Sequence, residues 1–221
     1  LPNPTWKRLN IGENWATGDT YLAAVGQGYV LATPVQVLNS INTIINDGKH
    51  YQLTIIDRIT DFDGNVTYQS EPEILWDITK DPMIATYEGN NRTTELKTVE
   101  QSVIDLAKLG MEMVTRDDGT ASYEFEDNPW KVAGKTGTAE FCDDWANREG
   151  LCVPGSWPAH AWFVGYAPYD DPEIVVAVFV YHGAEGSTVA APIAKATIDA
   201  YFQLKQVDQE LQQNEYAPAI P

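Results

Sequence analysis

Apolar residues recur along this chain in two rhythms, one helical and one strand-like. Residues 1–32 show neither, and Gly12, Gly18, Gly26 and Gly28 read as turn points in irregular chain. Thr33-Pro34 then reads as an N-cap followed by proline at the first helical position. Behind it Val35, Val37, Leu38, Ile41, Ile44 and Ile45 make an apolar stripe that Asp47-Gly48 stops. Between 51 and 69 the period shortens. Leu53, Ile55 and Ile59 precede Asp63-Gly64, and Val66 and Tyr68 follow it, which predicts a β-hairpin. Residues 70–97, with Pro72 and Pro82, are mixed and polar and read as a surface excursion. Thr98 is expected to cap a second helix, with Gln101 in the capping-box position. That helix carries Val103, Ile104, Ala107, Leu109, Met111 and Val114 to a stop at Asp117-Asp118-Gly119.

The second half is richer in strands. Lys131–Glu140 is a short strand centred on Gly134 and Gly137, and residues 141–158 form a loop rich in Pro, Gly and Asp. His160–Ala167 and Glu173–Tyr181 are strong strands, the latter carrying Val175, Val176, Val178 and Val180, with a turn at residues 168–172 between them. Thr188–Leu204 is helical, and residues 205–221 read as a polar, mobile tail. Three consecutive strands closed by a helix predict an α+β fold, an antiparallel sheet covered by helices.

Composition narrows the function. The chain has 221 residues, 43% hydrophobic and 11% aromatic, enough to pack one domain or a large piece of one. Its net charge of −18 argues against nucleic acid and against an anionic membrane surface as partners. The excess acid reads as a solubilising surface. No run of eighteen apolar residues occurs, and Leu1-Pro2-Asn3-Pro4 begins as a loop would. The expectation is therefore an excised piece, with targeting information upstream. Cys142 and Cys152 are candidates for a disulfide in an oxidising compartment, with two free thiols as the alternative. His160 and Asp143 lie near them, but the spacing matches no zinc pattern, and no metal or cofactor is expected.

The sharpest chemical signal is Lys135-Thr136-Gly137-Thr138, on the first of the three late strands. Lys135 supplies a positive charge with three donors, and Thr136 and Thr138 supply hydroxyls. Gly137 removes a side chain where a ligand would approach the backbone. The Thr138 N–H is placed to meet a developing oxyanion. These groups suit a ligand with both a carboxylate and a reacting carbonyl. The same four residues would serve as well in an ordinary turn, so context must decide. His50, His160 and His182 read as structural, and Trp145 and Trp157 as packing beneath a long loop. The acidic pairs 117–118, 143–144 and 170–171 read as stops and turns, and Gly26-Gln27-Gly28 as tight backbone packing beneath the site.

With its flanking blocks the motif resembles the third motif of the serine penicillin-binding proteins and β-lactamases. Gly18-Asp19-Thr20, Gly26-Gln27-Gly28-Tyr29 and Thr33-Pro34-Val35-Gln36 resemble class B members of the penicillin-binding protein 2 type, as do Gly119-Thr120-Ala121 and residues 161–168. The resemblance covers roughly Trp6 to Leu204 and implies that residues 1–204 are the C-terminal part of a transpeptidase domain. It implies acyl transfer between peptidoglycan stem peptides and trapping by β-lactam antibiotics. Lys135 and Thr138 would hold the donor carboxylate, Thr136 would shape the strand edge, and the Thr138 N–H would form half of the oxyanion hole. It further implies an extracytoplasmic, membrane-anchored protein partnered by a membrane glycan polymerase. The family nucleophile, Ser-x-x-Lys, and its second motif, Ser-x-Asn, are expected upstream of Leu1 and at none of the six serines here. Their half of the domain becomes a required partner. A β-lactam sensor or non-catalytic homologue, and a β-lactamase or D,D-carboxypeptidase, are the alternatives.

Overall fold

The computed structural model describes residues 2–87 and 93–215. Its first stretch is not irregular. Asn3 Oδ1 accepts the Trp6 N–H at 2.9 Å and opens helix α1, Pro4–Asn10, with Pro4 in the first turn. Asp19 reaches back to the Ala16 N–H at 2.7 Å at the start of helix α2, Thr17–Ala24. The buried Lys7 ammonium, 2.7 Å from Asp19, ties the two helices together. Helix α3, Pro34–Ile45, follows the expected cap: Thr33 and Gln36 satisfy each other's backbone N–H groups reciprocally.

Strand β1, Lys49–Tyr51, comes next, then the hairpin of β2, Arg58–Thr60, and β3, Val66–Gln69, around Asp63-Gly64. The hairpin is shorter than the alternation suggested. Within the surface excursion, residues 88–92 lie outside the described residues, and the described ones include three strands. Strand β4, Ile74–Asp77, pairs antiparallel with β1, and β5, Met83–Tyr87, pairs with β6, Thr93–Lys97. Backbone pairing organises these residues without a strong apolar alternation to announce it. Helix α4, Gln101–Thr115, starts at Glu100 rather than Thr98. The chain stays extended through Val99, whose N–H donates to the Ile78 carbonyl, so Thr98 cannot cap.

A short helix α5, Ser122–Phe125, leads to the central sheet. That sheet orders β7, Ala133–Glu140, against β8, Ala159–Ala167, against β9, Ile174–Val180, all antiparallel. Helix α6, Asp144–Arg148, lies inside the loop between β7 and β8. A π-helical turn, Gly186–Ala190, then feeds helix α7, Ala191–Glu215. The last helix runs eleven residues past the expected end at Leu204, because residues 205–215 are mostly Gln, Glu, Lys and Leu, with no Gly or Pro to stop it. The rest of the expected tail lies outside the described residues.

Each face of the sheet has its own core. On one, Ala161, Phe163, Ala167 and Val176 meet Ala191, Ala194, Ile198 and Phe202 of α7, with Phe125 of α5 stacked on Phe163 at 5.1 Å. On the other, Val164 and Tyr166 meet Ile41 of α3 and Met111 of α4. The Phe163 ring lies across the cross-strand pair Gly134 and Gly165. A Cβ on Gly134 would stand 2.4 Å from that ring, so the close approach needs glycine. The α4 end is tied to the sheet by Thr115, whose hydroxyl donates to the Val132 carbonyl at 2.6 Å.

Two buried rings separate packing from polarity. Phe163 is fully buried, and Phe163→Ala is expected to destabilise the protein by about 3–5 kcal/mol in urea titration. The Tyr166 hydroxyl is buried without a hydrogen-bond partner among the described residues, and its pKa is pushed up to about 12 by burial first, then by Tyr169 and Glu112. Tyr166→Phe is therefore expected to be neutral or stabilising at pH 7. The unfolded phenol ionises near pH 10 and the folded one nearer 12, so this contribution is intact below about pH 10 and lost as the pH climbs to 12. The advantage of the phenylalanine variant should grow across that window, which urea midpoints at successive pH values would read.

Candidate functional site

The sequence motif sits on β7, an edge strand. Among the described residues no strand pairs with its outer side. In an antiparallel strand one residue's N–H and C=O point the same way. The Thr138 carbonyl accepts the Gln27 side-chain amide at 3.3 Å, and the Thr136 carbonyl accepts the Lys135 ammonium at 2.6 Å. Thr136 and Thr138 thus present their backbone to the outer edge, N–H groups included. Gly137, between them, faces β8 opposite Trp162.

Side chains alternate about this edge. Lys135 and Gly137 lie on the face covered by α3 and α4, in register with Val164 and Trp162. Thr136 and Thr138 lie on the α7 face, in register with Phe163 and Ala161. Lys135 and Thr138 are exposed, while Thr136 and Gly137 are half-buried. The Thr136 hydroxyl is 2.9 Å from that of Thr120, which joins Gly119-Thr120-Ala121 to the motif. The Gly186 N–H donates to the Thr138 hydroxyl at 3.5 Å. Gly186 lies flat on the strands: a Cβ there would stand 2.4 Å from the Gly137 carbonyl oxygen. A Cβ on Gly137 would stand 3.1 Å from that of Trp162, so this glycine also serves packing.

Two contacts were not legible. Gln27 lies 111 residues from Thr138, and no local pattern pairs them. Gly186 carries no periodic signal either. The glycines beside Gln27 are exposed with positive φ, 76° for Gly26 and 70° for Gly28, so they shape a turn rather than pack beneath the site. One expectation about serine needs correcting: Ser40-Ile41-Asn42 does have the Ser-x-Asn spacing. It lies within α3, where the Ser40 hydroxyl donates to the Val37 carbonyl at 2.7 Å and Ile41 packs on Val164 and Tyr166. None of the six serines has Lys three residues on.

Beyond Glu140 the chain enters an aromatic cluster. His160 stacks on Phe141 at 3.7 Å, and its Nδ1 accepts the His182 N–H at 3.3 Å. Burial first, then His182, pushes the His160 pKa down. Asp143 caps α6 through the Ala146 N–H and accepts the Tyr181 hydroxyl. Those two bonds, the first the larger, hold its carboxyl below the usual range. A disulfide joins Cys142 to Cys152 across this loop, with Cα atoms 5.7 Å apart. His50 is likewise committed, with Thr43 at 2.8 Å and Asn39 at 3.3 Å. A hollow of about 300 Å³ lies beside Thr138 and Glu140, and a larger one of about 640 Å³ lies away from the motif, between α3 and residues 51–57.

The penicillin binding protein transpeptidase domain profile matches residues 7–199, most of the chain. This chain belongs to that family. Within the family it is of the class B, penicillin-binding protein 2 type, and the resemblance read from its motifs holds. Peptidoglycan D,D-transpeptidase MrdA of Haemophilus influenzae is 33% identical over 215 residues, covering 94% of this chain and 30% of that protein. PBP2 of Pseudomonas aeruginosa, solved in complex with WCK 5153, superposes with a TM-score of 0.61 at 27% identity, over 91% of this chain and 37% of that one. A chain of a peptidoglycan synthase complex, solved to describe the coordination of polymerization and crosslinking, gives 0.60 at 32% identity, over 89% and 28%. The chain thus spans about a third of its relatives' length. The α+β sheet-and-helix arrangement is that of the serine β-lactamase and penicillin-binding-protein transpeptidase fold.

The disulfide closes a ten-residue separation, and its removal by Cys142→Ser with Cys152→Ser should cost about 2.5–3 kcal/mol by loop-closure entropy. Mass measurement after alkylation should find no adduct without reductant and two with it. Two adducts without reductant would mean that the thiols are free.

Proposed function

We propose that this chain forms the donor-gripping wall of a peptidoglycan D,D-transpeptidase. One observation carries the reading: the Lys135 ammonium and the outward-facing backbone of Thr138 share a single open strand edge. An anionic peptide end meets a charge and hydroxyls there, three residues from an N–H free to face an oxyanion. Lys135 and Thr138 bind the terminal carboxylate, and Thr136, braced by Thr120, shapes the edge. Gly137 keeps the approach open.

A serine outside this chain attacks the carbonyl of the penultimate D-Ala of a donor stem. The C–N bond to the last D-Ala breaks, and that residue leaves as an amine carrying a proton. The resulting ester is attacked by an amine of a neighbouring stem, which forms the cross-link and frees the serine. The Thr138 N–H supplies one oxyanion donor in both steps, and the nucleophile's own N–H supplies the other. A β-lactam follows the first step and stays on the serine as an acyl adduct. The partners are the other half of the same domain and, for the whole protein, a membrane glycan polymerase. The coordinated polymerization and crosslinking described for the similar synthase complex supports the latter. Placement on the extracytoplasmic face of the membrane, with an anchor elsewhere in the protein, fits the disulfide. No helix among the described residues is long and apolar enough to cross a membrane.

In the whole protein, Lys135→Ala should slow acylation by a fluorescent penicillin roughly 10- to 100-fold, the equivalent of one charge-assisted hydrogen bond. An unchanged rate would remove Lys135 from the site. Rapid turnover of the penicillin, rather than a persistent adduct, would move the assignment to a β-lactamase.

A further inference from the structure

The hollow beside Thr138 has a character of its own. It is an open depression of about 300 Å³ between the end of β7, the segment leading into β8 and the loop leaving β9. Trp157, Pro158 and His182 line it, together with the acidic residues Glu140 and Glu185. No Lys or Arg lines it. Among the described residues neither carboxylate has an ion pair or hydrogen bond. Lys131 pairs with Asp170 and Lys205 with Glu173, so the nearby strand-end carboxylates elsewhere are already matched.

Its position relative to the motif gives it meaning. Thr138 belongs both to the open edge and to the lining of the hollow. Glu140 follows two residues later on the same face, ~7 Å along the strand. A peptide adding to this edge antiparallel, with its terminal carboxylate at Lys135, runs its preceding residues toward Glu140. A side chain from that part of the peptide can reach the hollow. The hollow is lined by two acidic residues without an ion pair among the described residues and by an indole, a combination that favours a cation. A stem peptide able to act as acceptor must carry a side-chain amine, and an alkyl amine is an ammonium ion near neutral pH.

We infer that this hollow is a subsite for the side-chain ammonium of a stem peptide, held by Glu140 and Glu185 against Trp157. The inference rests on the transpeptidase reading and extends it to a preference for amine-bearing stems. The ammonium belongs either to the donor stem, bound along the edge, or to the acceptor stem, arriving at the ester. The binding chemistry is the same in both cases.

The test uses the whole protein, with rates expressed per penicillin-labelled site so that misfolded molecules are not counted. Donors are D-Ala-D-Ala-terminated peptides with a free side-chain amine or with that amine acetylated. The wild type should favour the free amine in kcat/KM by about fivefold per carboxylate engaged, the scale of a partly exposed ion pair. Glu140→Gln and Glu185→Gln should each shrink that ratio, and the double variant should bring it near one. If the acceptor is the source, the donor ratio stays near one throughout. The ratio of transfer to hydrolysis with an added amine acceptor then falls in the variants. A cation preference that is absent, or that survives in the double variant for both donor and acceptor, overturns the subsite. A wild-type protein that penicillin does not label overturns the transpeptidase reading instead, and the subsite with it.

Discussion

An unpaired strand edge is the constraint around which the described structure is organised. A strand with free N–H and C=O groups invites pairing with any other chain, and proteins normally blunt such edges. β7 leaves its outer edge without a partner strand at Thr136 and Thr138, where only the side chains of Lys135 and Gln27 meet the carbonyls, while its other side is fixed firmly to β8. The firmness comes from glycine. Phe163 presses onto Gly134 and Gly165, and Gly186 lies flat over Gly137, so helices on the α7 face hold the strand from above without covering its edge. On the opposite face α3 and α4 bury Ala133 but leave Lys135 exposed. The edge is protected by small polar means: one lysine, two threonines and a glutamine from far away in sequence.

Charge sharpens the contrast. The chain carries −18 overall, yet its open edge bears an ammonium. In a protein this acidic an anionic ligand is repelled by most of the surface and attracted at very few places. The carboxylates at the far end of β7 reverse the sign again within a few residues. A bound peptide of mixed charge would therefore be oriented along the strand, with its anionic end at Lys135.

The late strands and the helix α3 were readable because their physics is local. Val175 to Val180 form an unbroken apolar run rich in β-branched valine, and Thr33, Pro34 and Gln36 form a cap whose bonds lie within three residues. The motif on β7 was readable because its residue types are scarce in combination. What escaped depended on distant partners. The helices α1 and α2 rest on single caps at Asn3 and Asp19 and on one buried lysine, not on an apolar stripe. Strands β4 to β6 are defined by backbone pairing in a stretch of mixed polarity without a clear period. Thr98 looked like a cap in isolation, but the bond from Val99 to Ile78 kept the chain extended past it. The contacts of Gln27 and Gly186 with Thr138 belong to the same class: they exist only once the chain is folded.

The lysine of the motif is exposed, yet it does not wave freely. Its ammonium is docked on the carbonyl of the very next residue, Thr136, at 2.6 Å. On the proposed reading, an arriving carboxylate would exchange one oxygen for another instead of recruiting a freely waving side chain. Much of the rotamer entropy of four methylenes has been surrendered in advance. The swap also releases a carbonyl that faces outward, just where an extended guest would have an N–H to offer. Capturing the anion and unmasking the edge would thus become a single motion.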